Sequence, residues 1–181
     1  MRAIKIAILS LMLTALHSAT AKAQGQELYV VPDGVETRWS SFENPKAEKG
    51  QGGATNKTAK GHAFEFVAPG ESRVLLDVQG AGVIQRIWIT ISERTPAVLR
   101  SARIEMYWDD SPKPAVSAPL GDFFGLGLGR ILPFQNALFS DPEGRSFNSY
   151  IPMPYRKAAR IVFINEAMPT CCFFTMWIFC G

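Results

Sequence analysis

The chain has 181 residues, with 19 Lys and Arg against 16 Asp and Glu and a formal net charge of +3. Arg2, Lys5 and Lys22 lie before residue 24 and no acidic residue does, so the remainder carries equal numbers of each sign. With no cluster of Lys and Arg in that remainder, the electrostatic footprint of a nucleic-acid-binding protein is excluded.

Arg2 and Lys5 form a short positive region, followed by an apolar run from Ile6 to Leu16 and small residues at Ala21-Lys22-Ala23. The apolar run is too short to cross a bilayer, and the small residues occupy the positions of an A-x-A cleavage site. Residues 1–23 therefore read as a signal peptide. The expected address is secreted or periplasmic, with no membrane association once the signal is removed. What remains is long enough for one domain with its own core.

Residues 24–62 read as an extended N-terminal segment and exposed loop. A short apolar stretch, Leu28 to Val31, gives way to a run rich in Gly, Lys, Glu, Asn and Thr. Gly50-Gln51-Gly52-Gly53 supplies flexibility there, but no Gly-Lys-Ser/Thr follows and no strand leads in, so it is not a phosphate loop. From residue 63 strands dominate. Ala63 to Val67 is bounded by Pro69-Gly70, and Arg73 to Val78 ends at Gly80-Ala81-Gly82. Val83 to Ile91 places Ile87, Ile89 and Ile91 on one face and Arg86, Trp88 and Thr90 on the other. Ala102, Ile104, Met106 and Trp108 alternate with Arg103, Glu105 and Tyr107, as in a strand buried on one side. Asp109-Asp110-Ser111-Pro112 reads as a turn. Ala115 to Ala118, Ser149 to Met153 and Arg160 to Ile164 are shorter strand candidates, and no stretch after the signal shows helical periodicity over ten residues. Gly125 to Gly129 lacks the βαβ surroundings of a dinucleotide site. Seven or eight short strands separated by turns predict an all-β fold, an antiparallel β-sandwich or jelly roll over residues 63–166.

The tail, residues 167–181, is of a different character. It is apolar on every face, has no period of 2 or 3.6, and carries no charge. Exposed, it would promote aggregation. Two readings stand: a change of reading frame near residue 167, or a buried C-terminal strand. The three cysteines, Cys171, Cys172 and Cys180, all fall here. Adjacent cysteines strain a disulfide, and there is no CxxC. His17 is in the signal and His62 stands alone, so no metal site, cofactor or Ser-His-Asp triad is expected.

Several segments, taken together and in order across residues 38–166, resemble glycoside hydrolase family 172 (domain of unknown function 2961). They are Ser40-Ser41-Phe42-Glu43-Asn44-Pro45, Gly50 to Ala54, Gly80 to Ile91, Met106-Tyr107-Trp108-Asp109, Pro119 to Gly125 and Ser146 to Pro154. The resemblance implies a secreted enzyme of two tandem jelly rolls, of which this chain would hold the first, its C-terminal part truncated. It also implies action on furanosides, with fructofuranose or arabinofuranose linkages in a glycan partner, and homo-oligomers of three or more subunits for the full-length family. Catalysis in the family is attributed to two glutamates in the later part of the chain. The match here stops near Glu166, so no position inherits either role and no catalytic residue is assigned. Three functional expectations follow: an N-terminal fragment inactive by itself, a stand-alone carbohydrate-binding sandwich, or a non-functional truncated product.

Among residues present, Asp122 and Phe123 are candidates for sugar contact, since Gly121 allows close approach and an aromatic ring can stack on a sugar. The structural alternative is a tight turn with Phe123 and Phe124 in the core, and core packing is the preferred reading for Phe124. Asn148, Ser149 and Tyr150 offer amide and hydroxyl groups suited to neutral polyols, against a purely structural loop role. Asp109 and Asp110 read as turn residues, Trp88 and Trp108 as core, and Arg86 and Glu43 as surface salt-bridge groups.

Overall fold

The computed structural model describes residues 33–53, 62 and 64–166, together with the backbone of 173–180. The signal-peptide reading of 1–23 and the stretch Leu28 to Val31 fall outside the described residues. The chain divides into two units, Met1–Val35 and Glu36–Gly181, and every element named here lies in the second.

The alternation seen in the sequence becomes two antiparallel sheets. One is built on β4 (Gly82–Ile91), flanked by β12 (Phe173–Cys180) and β9 (Ser146–Ser149). It continues through β1 (Arg38–Ser40) beyond β12, and through β8 (Phe139–Asp141) and β7 (Phe134–Gln135) beyond β9. Off this path, β2 (Glu65–Phe66) pairs with β12 and β10 (Met153–Tyr155) pairs with β4. The other sheet has the order β3 (Ser72–Gln79), β11 (Ala158–Asn165), β5 (Ala102–Trp108), β6 (Val116–Pro119). The result is the expected all-β sandwich.

Ile84, Ile87, Ile89 and Ile91 of the larger sheet join Leu75, Leu76, Ile104, Met106, Ile161 and Phe163 of the smaller one in a single buried cluster. Two bulges adjust the alternation. In β4 the register passes from Phe179 opposite Arg86 to Cys180 opposite Ile84, so Gln85 is the extra residue. In β3 Leu75 is extra between Leu76 opposite Ile161 and Val74 opposite Val162. A bulge shifts the inward face by one residue, which is why Leu75 and Leu76 are both fully buried.

Between the sheets' strands sit two short helices, α1 (Pro96–Ser101) and α2 (Leu120–Phe123). Thr95 caps α1, its hydroxyl accepting from the Val98 amide at 3.4 Å, and Pro96 presets the first turn. Gly121 lets the helices approach closely, since a Cβ there would lie 3.0 Å from that of Leu99.

Two sequence expectations change, and the structure adds an observation on the tail. Part of the segment 24–62, read as exposed loop, is structural: it forms β1, and Ser40, Ser41, Asn44 and Ala47 are buried. The Ser40 hydroxyl donates to the Leu75 carbonyl at 2.5 Å, and the Asp77 amide donates to the Pro45 carbonyl at 2.8 Å. The segment thus covers the edge of β3 that β11 leaves unpaired, which would otherwise template association. The expected strand Ser149 to Met153 is instead the junction of β9 and β10, separated at 150–152. Residues 173–180 of the apolar tail pair with both β1 and β4 inside the larger sheet.

Candidate functional site

The outward face of the larger sheet gathers polar and aromatic groups. Register places Trp88 opposite Asn148 and Asn148 opposite Ser140, so the three form a row across β4, β9 and β8. Their neighbours Ile87, Ile89, Phe147 and Ser149 are fully buried on the inward side.

Asn148 is 3% exposed and is the centre of the group. Its Oδ1 accepts from Arg86 Nη2 at 2.7 Å, and its Nδ2 donates to the Ser140 carbonyl at 3.3 Å. The Arg86 guanidinium in turn lies over the Tyr150 ring, 5.4 Å from its centroid. The Tyr150 hydroxyl closes the circle, 3.2 Å from Ser140 Oγ. A guanidinium, an amide, two hydroxyls and an aromatic ring are thereby held in fixed relation. Tyr150 is 39% exposed and Arg86 half-buried, whereas Asn148 and Ser140 are 3% and 5% exposed, so the cluster meets solvent through Tyr150 and Arg86. Such groups match the alternating donors and acceptors of a neutral polyol.

The five sequence candidates separate. Asn148 and Tyr150 meet in this cluster. Ser149 does not: it is fully buried, faces the core opposite Ile87, and its hydroxyl accepts from the Ile151 amide at 3.4 Å. Both Asp122 oxygens lie 2.7 Å from Arg100 Nη1, which also reaches the Gly127 carbonyl at 3.3 Å. Asp122 thus ties α2 to α1 and the glycine-rich loop. Phe123 packs edge-on against Phe124 at 4.9 Å and Phe139 at 6.0 Å, while Phe124 is 1% exposed in the core. Asp122 is thus held by Arg100 and Phe123 lies half-buried against the core, and neither joins the cluster of Asn148 and Tyr150.

Arg86 and Ser140 were missed as site residues. Arg86 is half-buried and bound to Asn148, where the sequence suggested a surface salt bridge. The alternation of β4 put Arg86 and Trp88 on one face, and that was the usable signal. Nothing in the sequence marks Ser140, whose place depends on the register of β8 with β9.

Several carboxylates are committed to holding the fold. Asp109 Oδ1 accepts from the Arg156 and Lys157 amides at 2.8 and 2.7 Å, bonds that lower its pKa from the ordinary value. Asp141, 1% exposed, accepts from the Arg145 and Ser146 amides at 2.8 and 3.2 Å, yet burial pushes its pKa up. Glu65 pairs with Arg73 at 2.8 Å, and Glu166 pairs with Arg103. Among the described residues no three His, Cys, Asp or Glu side chains are grouped to hold a metal.

Residues 57–172 match the family described as GH172 domain-like. The chain belongs to that family. The GH172 domain-like match, in a glycoside hydrolase family, takes in β2 through β11 and both helices and stops immediately before β12. Asn148, Tyr150, Arg86 and Ser140 all fall within it. Among curated proteins, none matches the chain closely enough to stand as a relative.

Proposed function

We propose that this GH172 domain-like chain is the carbohydrate-recognising jelly roll of an exported furanoside-active glycoside hydrolase. In this reading the glutamate pair that breaks the bond is not among the carboxylates described above. The observation that carries it is the closed circle of Arg86, Asn148, Ser140 and Tyr150 on an outward sheet face. Its donors and acceptors are held before any ligand arrives, which reduces the ordering cost of binding. Retaining glycoside hydrolysis needs two carboxyl groups about 5–5.5 Å apart with free faces toward the substrate. Asp109, Asp122, Glu65 and Glu166 are instead bound to backbone amides or arginines. Export through a signal at 1–23, and assembly into trimers as the family resemblance implies, are parts of the same proposal.

The test is calorimetric titration of the purified chain with neutral arabinofuranose and fructofuranose oligosaccharides, beside an assay with a nitrophenyl furanoside. Binding without turnover is expected, and Asn148→Ala should weaken it about ten-fold, the worth of one well-placed hydrogen bond. Absence of binding to either sugar would remove the carbohydrate reading. Turnover abolished by changing one of the chain's own carboxylates would show that the catalytic pair is present.

A further inference from the structure

A second site is built where β1 faces the turn at 48–50. An open groove of about 220 Å³ lies there, lined by Thr37, Arg38, Trp39, Glu48, Lys49 and Gly50. Its two walls are locked together by one buried side chain. Asn44, 3% exposed, donates from Nδ2 to the Trp39 carbonyl at 3.4 Å and to the Glu48 carbonyl at 3.0 Å, and its Oδ1 accepts from the Glu48 amide at 2.9 Å. Beside it, Ala47 is fully buried with φ of +48°, a conformation that an L-residue holds only when its surroundings over-determine it. Glu36 bridges two of the lining residues, with Oε2 3.0 Å from Arg38 Nη2 and Oε1 2.8 Å from Lys49 Nζ. The groove is therefore set before any ligand enters.

Charge and size select the occupant. Arg38 and Lys49 are balanced by Glu36 and Glu48, which leaves no net charge to attract an anion. Trp39 lines it, the Nε1 edge of its indole packed against Gly52, together with Thr37, Glu48 and Lys49, which carry hydroxyl, carboxylate and ammonium groups. An apolar wall with a few polar groups converging on it is the usual lining of a small-molecule site. The volume is below the roughly 300–1,000 Å³ of clefts that enclose drug-sized ligands. It suits one ring and not an extended oligosaccharide.

We propose that this groove is a second sugar-contact site, taking a single uncharged sugar ring of the glycan. The ring's C–H face would lie toward the Trp39 indole, with its hydroxyls meeting Glu48 and Lys49. The choice of a sugar as ligand rests on the furanoside reading above; the site itself is separate from Asn148 and Tyr150.

The experiment follows the indole N–H resonance of Trp39 in the full chain during titration with a neutral arabinofuranose oligosaccharide. It is repeated for Lys49→Ala and Asn148→Ala. Lys49 is 75% exposed, so its truncation leaves the fold intact. The expected result is a saturable shift of the Trp39 resonance, weakened about ten-fold by Lys49→Ala and unchanged by Asn148→Ala. If the oligosaccharide binds, Asn148→Ala weakens that binding about ten-fold and Trp39 never responds, the groove proposal fails and the sheet-face reading stands. If no resonance moves at all, both fail.

Discussion

At Asp141 burial raises the carboxyl pKa above its ordinary value, whereas at Asp109 the amides of Lys157 and Arg156 lower it. The two contribute oppositely to stability. Between the unfolded value and the raised folded value, Asp141 binds more protons folded than unfolded, so its contribution falls as pH rises through that window. Asp109 binds fewer protons folded, so its contribution is present above the unfolded value and is lost as pH falls toward the lowered one. Asp141→Asn keeps the acceptor for the Arg145 and Ser146 amides and removes the titration. The melting temperature of Asp141→Asn relative to the parent should therefore rise as pH is raised through the acidic range. Asp109→Ala should show the reverse trend: its deficit is full at neutral pH and shrinks on acidification. A thermal-melt series of the three proteins from acid to neutral pH checks both signs.

At the level of elements, the segment carrying β1 does part of what a further strand beside β3 would otherwise do. Ser40 and Pro45 engage the Leu75 carbonyl and the Asp77 amide, so the middle of the β3 edge is covered by hydrogen bonds. The same segment supplies both walls of the groove at Trp39 and Lys49. Closing an edge and forming a cleft are thus one structural event. Ser40→Ala strands the buried Leu75 carbonyl and should cost about 1–3 kcal/mol, read from chemical denaturation. A loss near zero would mean that water reaches that carbonyl.

Across the whole molecule, β12 decides whether the larger sheet is one sheet. It lies between β4 on one side and β1 and β2 on the other. Without it, backbone groups of β4 from Ile84 to Ile91 lose their partners on that side, and β1 and β2 lose theirs entirely. Unpaired strand edges beside a large apolar core drive association. A chain ending at residue 172 is therefore expected to aggregate on refolding and to show no cooperative melt, measured by light scattering and calorimetry. A soluble truncated chain with the parent's melting temperature would show that β12 contributes nothing to the sandwich.

Periodicity recovered the all-β class and the inward faces of β4 and β5, turn chemistry the turn at Asp109-Asp110, and residue type the burial of Phe124. Each depends on side chains two residues apart, on local turn chemistry or on the residue itself, so nearby sequence carries the information. Family membership was also legible, from ordered motifs spread along residues 38–166. What needed the tertiary structure was everything set by pairing across large sequence separations. Ser40 meets Leu75, Arg86 meets Asn148, and the 173–180 segment enters beside β4. Register between distant strands turned Ser149 inward while bringing Asn148, Ser140 and Tyr150 to one face. A slip of one residue would have reversed that outcome without changing the alternation visible in any single strand.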